Sequence, residues 1–199
     1  MNATVHLDLG YFEKLTKLGF PDVKIDLTRF SDAVCEGRER LGTYVYDCLP
    51  YASNPPKPEE VRRFLSRAQF HLALKAQPRF EIRLGRLIYD PQSGHFKQKR
   101  VDALITADIV RLAHPRLVDA IVIISGDDDL VPAVQEAKNA GIMTIVCHRS
   151  CNDEYGRPRT RASRDLLRTC DQVRVIDREL MESCRRPTPR GTQPHPCAA

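Results

Sequence analysis

The sequence predicts an α/β fold, a three-layer α/β/α sandwich around a mainly parallel central sheet. Strand-like and helix-like stretches alternate along most of the 199 residues, the order expected of βαβ units with right-handed crossovers. The run Ala120-Ile121-Val122-Ile123-Ile124 is apolar at every position, which suits a strand covered on both faces, as in the middle of a parallel sheet. Acids cluster at the ends of such stretches, at Asp8, Asp47 and Asp127-Asp128-Asp129, and open parallel sheets bind their ligands beyond those ends.

Residues 3–8 alternate apolar with small or polar side chains and read as the first strand, closed by Asp8 and Gly10. Phe12, Leu15 and Leu18 are spaced for a helix over 11–18 that breaks at Gly19 and Pro21. Asp26 is a candidate cap for a second helix whose inner face, Leu27, Phe30, Val34 and Leu41, stops at Gly42. Residues 43–51 are aromatic and β-branched, hence a second strand, and Pro58 can open the helix that follows. In that helix, 59–76, Val61, Phe64, Leu65, Ala68, Leu72 and Lys75 share a period of 3.6 and predict its buried side. Residues 80–89 read as one strand, 90–95 as a turn, and 97–114 as a helix with one buried side marked by Val101, Leu104, Ile105, Ala107, Asp108, Ile109 and Leu112. A helix over 130–140, strands at 142–147 and 172–176, and a short helix at 162–169 complete the pattern. The expected division is one domain over 1–184 and a disordered proline-rich tail over 185–199.

With 42% hydrophobic and 29% charged residues the chain is that of an ordinary globular protein. No apolar run approaches the roughly 20 residues that cross a bilayer, and no leader pattern is legible at the start, so a cytoplasmic location without membrane association is expected. Seven scattered cysteines without paired CxxC spacing predict free thiols rather than zinc. The net charge of +5 is unevenly spread: residues 61–100 hold ten basic side chains against Glu81 and Asp90, and a second basic run spans 149–168. A basic surface beside an acidic pocket suits a phosphate backbone held near metal ions.

Asp8, Asp102, Asp127 and Asp129 are far apart in sequence, yet each ends a predicted strand or opens a helix, which in this architecture is one rim of the sheet. Asp127 as a helix cap accounts for one carboxylate and Asp102 in a first turn for another; neither accounts for the set. Hard cations such as Mg2+ and Mn2+ take oxygen ligands and need only a few carboxylates beside substrate phosphate. No serine or cysteine nucleophile with a histidine base is legible, so hydrolysis by metal-activated water is the simplest chemistry available. Asp108, six residues beyond Asp102, belongs to a different helix face.

The stretches LDLGYFEKL, FEIRLGRLIY, KQKRVDALITAD and VIISGDDDLVPAVQEAKNAGIMTIV, in this order, resemble the NYN domain of the LabA-like branch, related to the PIN-domain nucleases, over about 4–177. The resemblance implies a PIN-like sheet and a metal-dependent ribonuclease site with Asp8, Asp102, Asp127 and Asp129 as catalytic and metal-binding acids. It implies phosphate contact for Lys99, beside Arg100, and an orienting role for Ser125. Tyr11 stands where many relatives carry an amide that helps hold substrate or metal, and Asp128 stands where a small residue is commoner. The expected function is thus a Mg2+- or Mn2+-dependent endoribonuclease on single-stranded or structured RNA, with a homodimer left open. A non-catalytic RNA-binding or regulatory NYN module is the alternative, and a phosphoesterase on small substrates a third reading.

Overall fold

The computed structural model describes residues 1–90, 95–152 and 155–187. In chain order its elements are β1 (Asn2–Asp8), α1 (Leu9–Gly19), α2 (Leu27–Ala33), β2 (Glu39–Asp47), α3 (Pro58–Lys75), β3 (Phe80–Leu84), β4 (Arg86–Asp90) and β5 (His95–Lys99). There follow α4 (Val101–Ala113), β6 (Ala120–Ile124), a 3-10 turn at Asp128–Leu130, α5 (Val131–Asn139), β7 (Met143–His148), β8 (Cys151–Asn152), β9 (Pro158–Thr160), α6 (Arg164–Thr169), β10 (Gln172–Val175) and α7 (Arg178–Ser183).

Six strands form one all-parallel sheet in the order β10-β7-β6-β1-β2-β3. The chain winds outward from β1 through β2 to β3, then returns to the other side of β1 and winds outward through β6, β7 and β10. The direction of winding therefore reverses between β1 and β6, the kind of position at which open α/β sheets bind their ligands. Leu7 pairs with Ile124, and Asp8 with Tyr46. Asp8 and the Ser125–Asp129 corner thus leave the same end of adjacent strands.

β6 explains its own composition. Ala120, Val122 and Ile124 join the core under α1, α2 and α7, while Ile121 and Ile123 join the core under α4, α5 and α6, all five fully buried. Truncating Ile123 to Ala would cost on the order of 2–5 kcal/mol. Among the described residues no helix is long and apolar enough to cross a membrane, and the six described cysteines are free and buried.

Four expectations need correcting. The second helix ends at Ala33, because Glu36 and Gly37 adopt left-handed backbone (φ 47° and 75°), and Leu41 lies in β2. The predicted single strand over 80–89 divides at Gly85 into β3 and β4, and β4 pairs antiparallel with β5, which the helix reading of 97–100 had missed. A Cβ on Gly85 would lie 2.7 Å from the Lys99 carbonyl oxygen, so the hairpin base tolerates no side chain. The buried side of α3 is not the predicted apolar stripe: Leu65 and Leu72 are 54% and 67% exposed, while His71 and Leu74 face inward. Of the predicted turn at 90–95, Asp90 closes β4 and His95 opens β5, and the stretch 91–94 lies outside the described residues. So does 188–199; Arg186 N–H still donates to Lys24 O (2.7 Å), which ties residues just beyond α7 to the domain.

Candidate metal centre

Three of the four predicted acids meet. Asp102, in the first turn of α4, and Asp127 and Asp129, at the 3-10 turn after β6, each present a carboxylate oxygen, and these oxygens lie within 4.8 Å of one another. The corner holds its own shape: Asp127 caps the 3-10 turn by accepting from Asp129 N–H (3.0 Å), and its own N–H donates to Ser125 Oγ (3.3 Å). Asp8 stands at one remove. It caps α1 by accepting from Tyr11 N–H (3.1 Å), and its other oxygen accepts from the Ser125 hydroxyl (3.4 Å). Ser125 is therefore the link between the first-strand acid and the corner.

The electrostatics mark the site as short of positive charge. Burial raises the Asp102 carboxyl above the ordinary range, and the charges of Asp127 and Asp129 raise it further. Burial likewise raises Asp8 to about 6, with the Asp102 charge adding to it against the Tyr11 and Ser125 hydrogen bonds. Asp8, Ser125, Asp127 and Asp128 line an open cavity of about 310 Å³ together with Tyr11 and Arg161. Three converging carboxylates, two of them partly buried, match the oxygen donor set of a hard divalent cation. The arrangement can hold such an ion.

The NYN domain family model matches residues 11–177. The chain belongs to the NYN family. Asp8 falls three residues before the matched span and the other acids fall within it. The uncharacterized protein y4oD of Sinorhizobium fredii is 42% identical over 50 residues, about a quarter of either protein (25% of this chain and 23% of the relative). A solved structure, the protein of unknown function VPA0982 from Vibrio parahaemolyticus, is similar with a TM-score of 0.57 at 20% identity, over 89% of this chain and 94% of that one. That likeness supports the fold alone.

Within this NYN domain the remaining predicted residues fall in different places. The Tyr11 ring borders the cavity, but its hydroxyl meets the backbone of Arg149, accepting from the N–H (3.3 Å) and facing the carbonyl (3.4 Å). Burial pushes that hydroxyl up to about 12. Gly126 is fixed by crowding: a Cβ there would clash with the Arg161 carbonyl and lie 2.9 Å from the Tyr11 ring. Gly126 O also accepts from Ser163 N–H (2.9 Å), which is why Arg161, from the second basic run, borders the acids. Lys99 and Arg100 are exposed at the junction of β5 and α4, with Arg100 in left-handed backbone (φ 76°) just before Asp102. Asp108 is separate, as its helix position predicted, and bonds to Tyr46, Arg83 and Arg111.

One constellation was missed. Asp47, at the end of β2, is buried and accepts from Arg67 Nε (2.5 Å) and from His71 Nε2 (2.6 Å) on α3, while Arg67 also pairs with Glu13 on α1. The signal was available in part: Asp47 ends a strand as Asp8 does, and Arg67 and His71 are four apart on one helix face. Their inward orientation explains why α3 turns Leu65 and Leu72 outward.

Proposed function

We infer that this NYN domain is a metal-dependent endoribonuclease of the LabA-like, PIN-related kind, cutting RNA phosphodiester bonds by water attack. The observation that carries the reading is the trio Asp102, Asp127 and Asp129, with converging oxygens and no cationic side chain bonded to them among the described residues. Asp108 and Asp47, by contrast, are paired with arginines. A bound Mg2+ or Mn2+ would supply positive charge against the scissile phosphate and acidify water. Asp102, Asp127 and Asp129 would hold it. Asp8 would accept a proton from the attacking water, since its raised affinity for protons suits it to neutral pH better than an ordinary aspartate. Ser125 keeps that carboxylate aimed at the corner. Arg161 at the cavity edge, and Lys99 and Arg100 nearby in sequence to Asp102, would contact phosphate.

The test is cleavage of a labelled RNA by the purified protein with Mn2+ or Mg2+. Cutting that is lost in EDTA and lost at least about 100-fold in Asp127→Asn, with RNA binding retained, is the expected result. Binding without cutting under any divalent cation would establish the non-catalytic RNA-binding module instead, a reading favoured by the added charge of Asp128 on the cavity.

A further inference from the structure

β3 ends the sheet, beyond β2. Thr43 N–H donates to Arg79 O (2.7 Å) and Gly85 N–H to Asp47 O (2.8 Å), and alternate residues bond along a parallel ladder, so Glu81 and Arg83 turn their backbones toward β2. Ile82 and Leu84 turn theirs outward, where neither meets a backbone partner among the described residues. An open edge strand is a template for another strand unless a proline, a bulge or an unmatched charge blocks it. β3 has no proline and pairs with β2 without a bulge, and its two charges are opposite in sign and placed symmetrically about Ile82.

The side chains of β3 sort by face. Glu81 and Arg83 pair with each other (2.7 Å) on the α4 side, where Arg83 also reaches Asp108. Phe80 and Ile82 join the core on the other side, under α3, and Leu84 on that side is exposed. α3 carries Val61, Leu65, Ala68 and Leu72 at spacings of four, three and four, the seam of a helix pair. Val61, Leu65 and Leu72 are exposed. With about 3.6 residues per turn, they lie on the flank away from Ser66, Phe70 and Ala73, which border cavities shared with α1 and α2. The stripe therefore overhangs the open β3 edge.

We propose that β3 and α3 form the contact surface for a second copy of this chain, with the two β3 strands antiparallel about a twofold axis through Ile82. That register sets Ile82 against its counterpart, Phe80 against the second copy's Leu84, and Glu81 against its Arg83, so apolar meets apolar and acid meets base on both sides of the axis. Ile82 and Leu84, whose backbones point outward, fall in the hydrogen-bonded pairs, and Phe80 contributes its carbonyl while its N–H stays with Gln77 O (3.3 Å). Moving the axis by one residue, to Glu81 or to Arg83, sets like charges directly opposite each other. The same axis runs α3 antiparallel to its counterpart, with Val61 near the second copy's Leu72 and Leu65 near its Ala68, large against small. Antiparallel strands send their carboxyl ends in opposite directions, so both acid corners stay open, and the inference does not depend on the chemistry assigned to them.

Sedimentation equilibrium of the full chain tests this. Between about 1 and 100 μM the mean mass should rise from 22.6 kDa toward twice that value. Glu81→Lys places a base opposite Arg83 in both pairs, and Leu65→Glu/Leu72→Glu places acids in the helix seam; each should weaken the dimer at least about tenfold. Both changes fall on exposed side chains, so the melting temperature of the dilute monomer should move by little. Amide hydrogen exchange locates the contact: the Ile82 and Leu84 N–H groups should exchange at least about tenfold more slowly in the dimer than in the diluted chain or in Leu65→Glu/Leu72→Glu. A monomer throughout that range, a dimer left intact by either variant, or Ile82 and Leu84 amides that exchange equally fast in dimer and monomer would overturn the proposal.

Discussion

Asp102 and Asp108 lie on one helix, less than two turns apart, and their surroundings are opposite. Asp108 is only 6% exposed and accepts from the Tyr46 hydroxyl and from the guanidiniums of Arg83 and Arg111, each at 3.0 Å. Burial alone would raise its carboxyl, but Arg111, Arg83 and Tyr46 together hold it below the ordinary range. Asp102 is less buried, meets other carboxylates instead, and is raised. The first is a finished structural contact. The second is a charge left without its counterpart, and that contrast separates the candidate site from the acids that merely hold the fold.

The contrast can be broken most forcefully at Asp127. Asp127→Asn should reduce metal-dependent cutting at least about 100-fold, whereas Asp108→Asn, assayed well below its melting temperature, should cut at nearly the parental rate. The stability ranking should then invert. Asp108→Asn leaves buried donors short of a charge and should cost about 2–3 kcal/mol by urea unfolding, discounted for the partial exposure of Arg83 and Arg111. If both substitutions cost equally, the distinction between paired and unpaired acids is lost.

Acidity should sharpen the comparison, because His6 and Asp8 pull in opposite directions. His6 is fully buried between Thr4 (3.2 Å) and Tyr46 (2.8 Å), and burial lowers it to about 3, with the Asp108 charge opposing and Arg111 assisting. Its stability contribution is whole above the unfolded pKa of 6.5 and is lost as pH falls toward 3, which amounts to about 2 kcal/mol between pH 7 and 5. Asp8 is raised, so its contribution is whole below 3.8 and is lost as pH rises through about 6. Melting curves from pH 5 to 8 should therefore show a shallower acid limb for His6→Gln, and for metal-free Asp8→Asn a gain about twice as large at pH 8 as at pH 5. The smallest effect belongs to Asp102→Asn. Relieving like-charge repulsion at a partly exposed site should raise metal-free stability by about 0.5 kcal/mol, near 1–2 °C in Tm, and should abolish the stabilisation that added Mn2+ gives the parent.

Much of this site was legible because a parallel sheet sends every strand's carboxyl end to one rim. An acid after the first strand and acids after Ile124 must then approach each other if their strands are neighbours, as β1 and β6 are. The resemblance implied an orienting role for Ser125, and its place between Asp8 and the Asp127 N–H emerged only with the structure. What could not be read were features decided by contacts across the fold. The apolar stripe Val61, Leu65 and Leu72 had the right period, yet Asp47 draws Arg67 and His71 inward, and buried hydrogen bonds outrank the stripe. Leu41 matched a helical period only because the left-handed turn at Glu36 and Gly37 leaves no local apolar signal. Gly85 reads as a permissible strand residue until the Lys99 carbonyl is known to lie against it.

The Tyr11 hydroxyl meets the Arg149 peptide, and Gly126 carries the Ser163 amide. The acids come from the first two-thirds of the chain, but the scaffold that keeps them in place is closed by a segment following β7. A proteolytic nick or an early stop before residue 163 would spare every carboxylate and still unlatch the corner, so a miniaturised version of this domain has to carry that later segment with it.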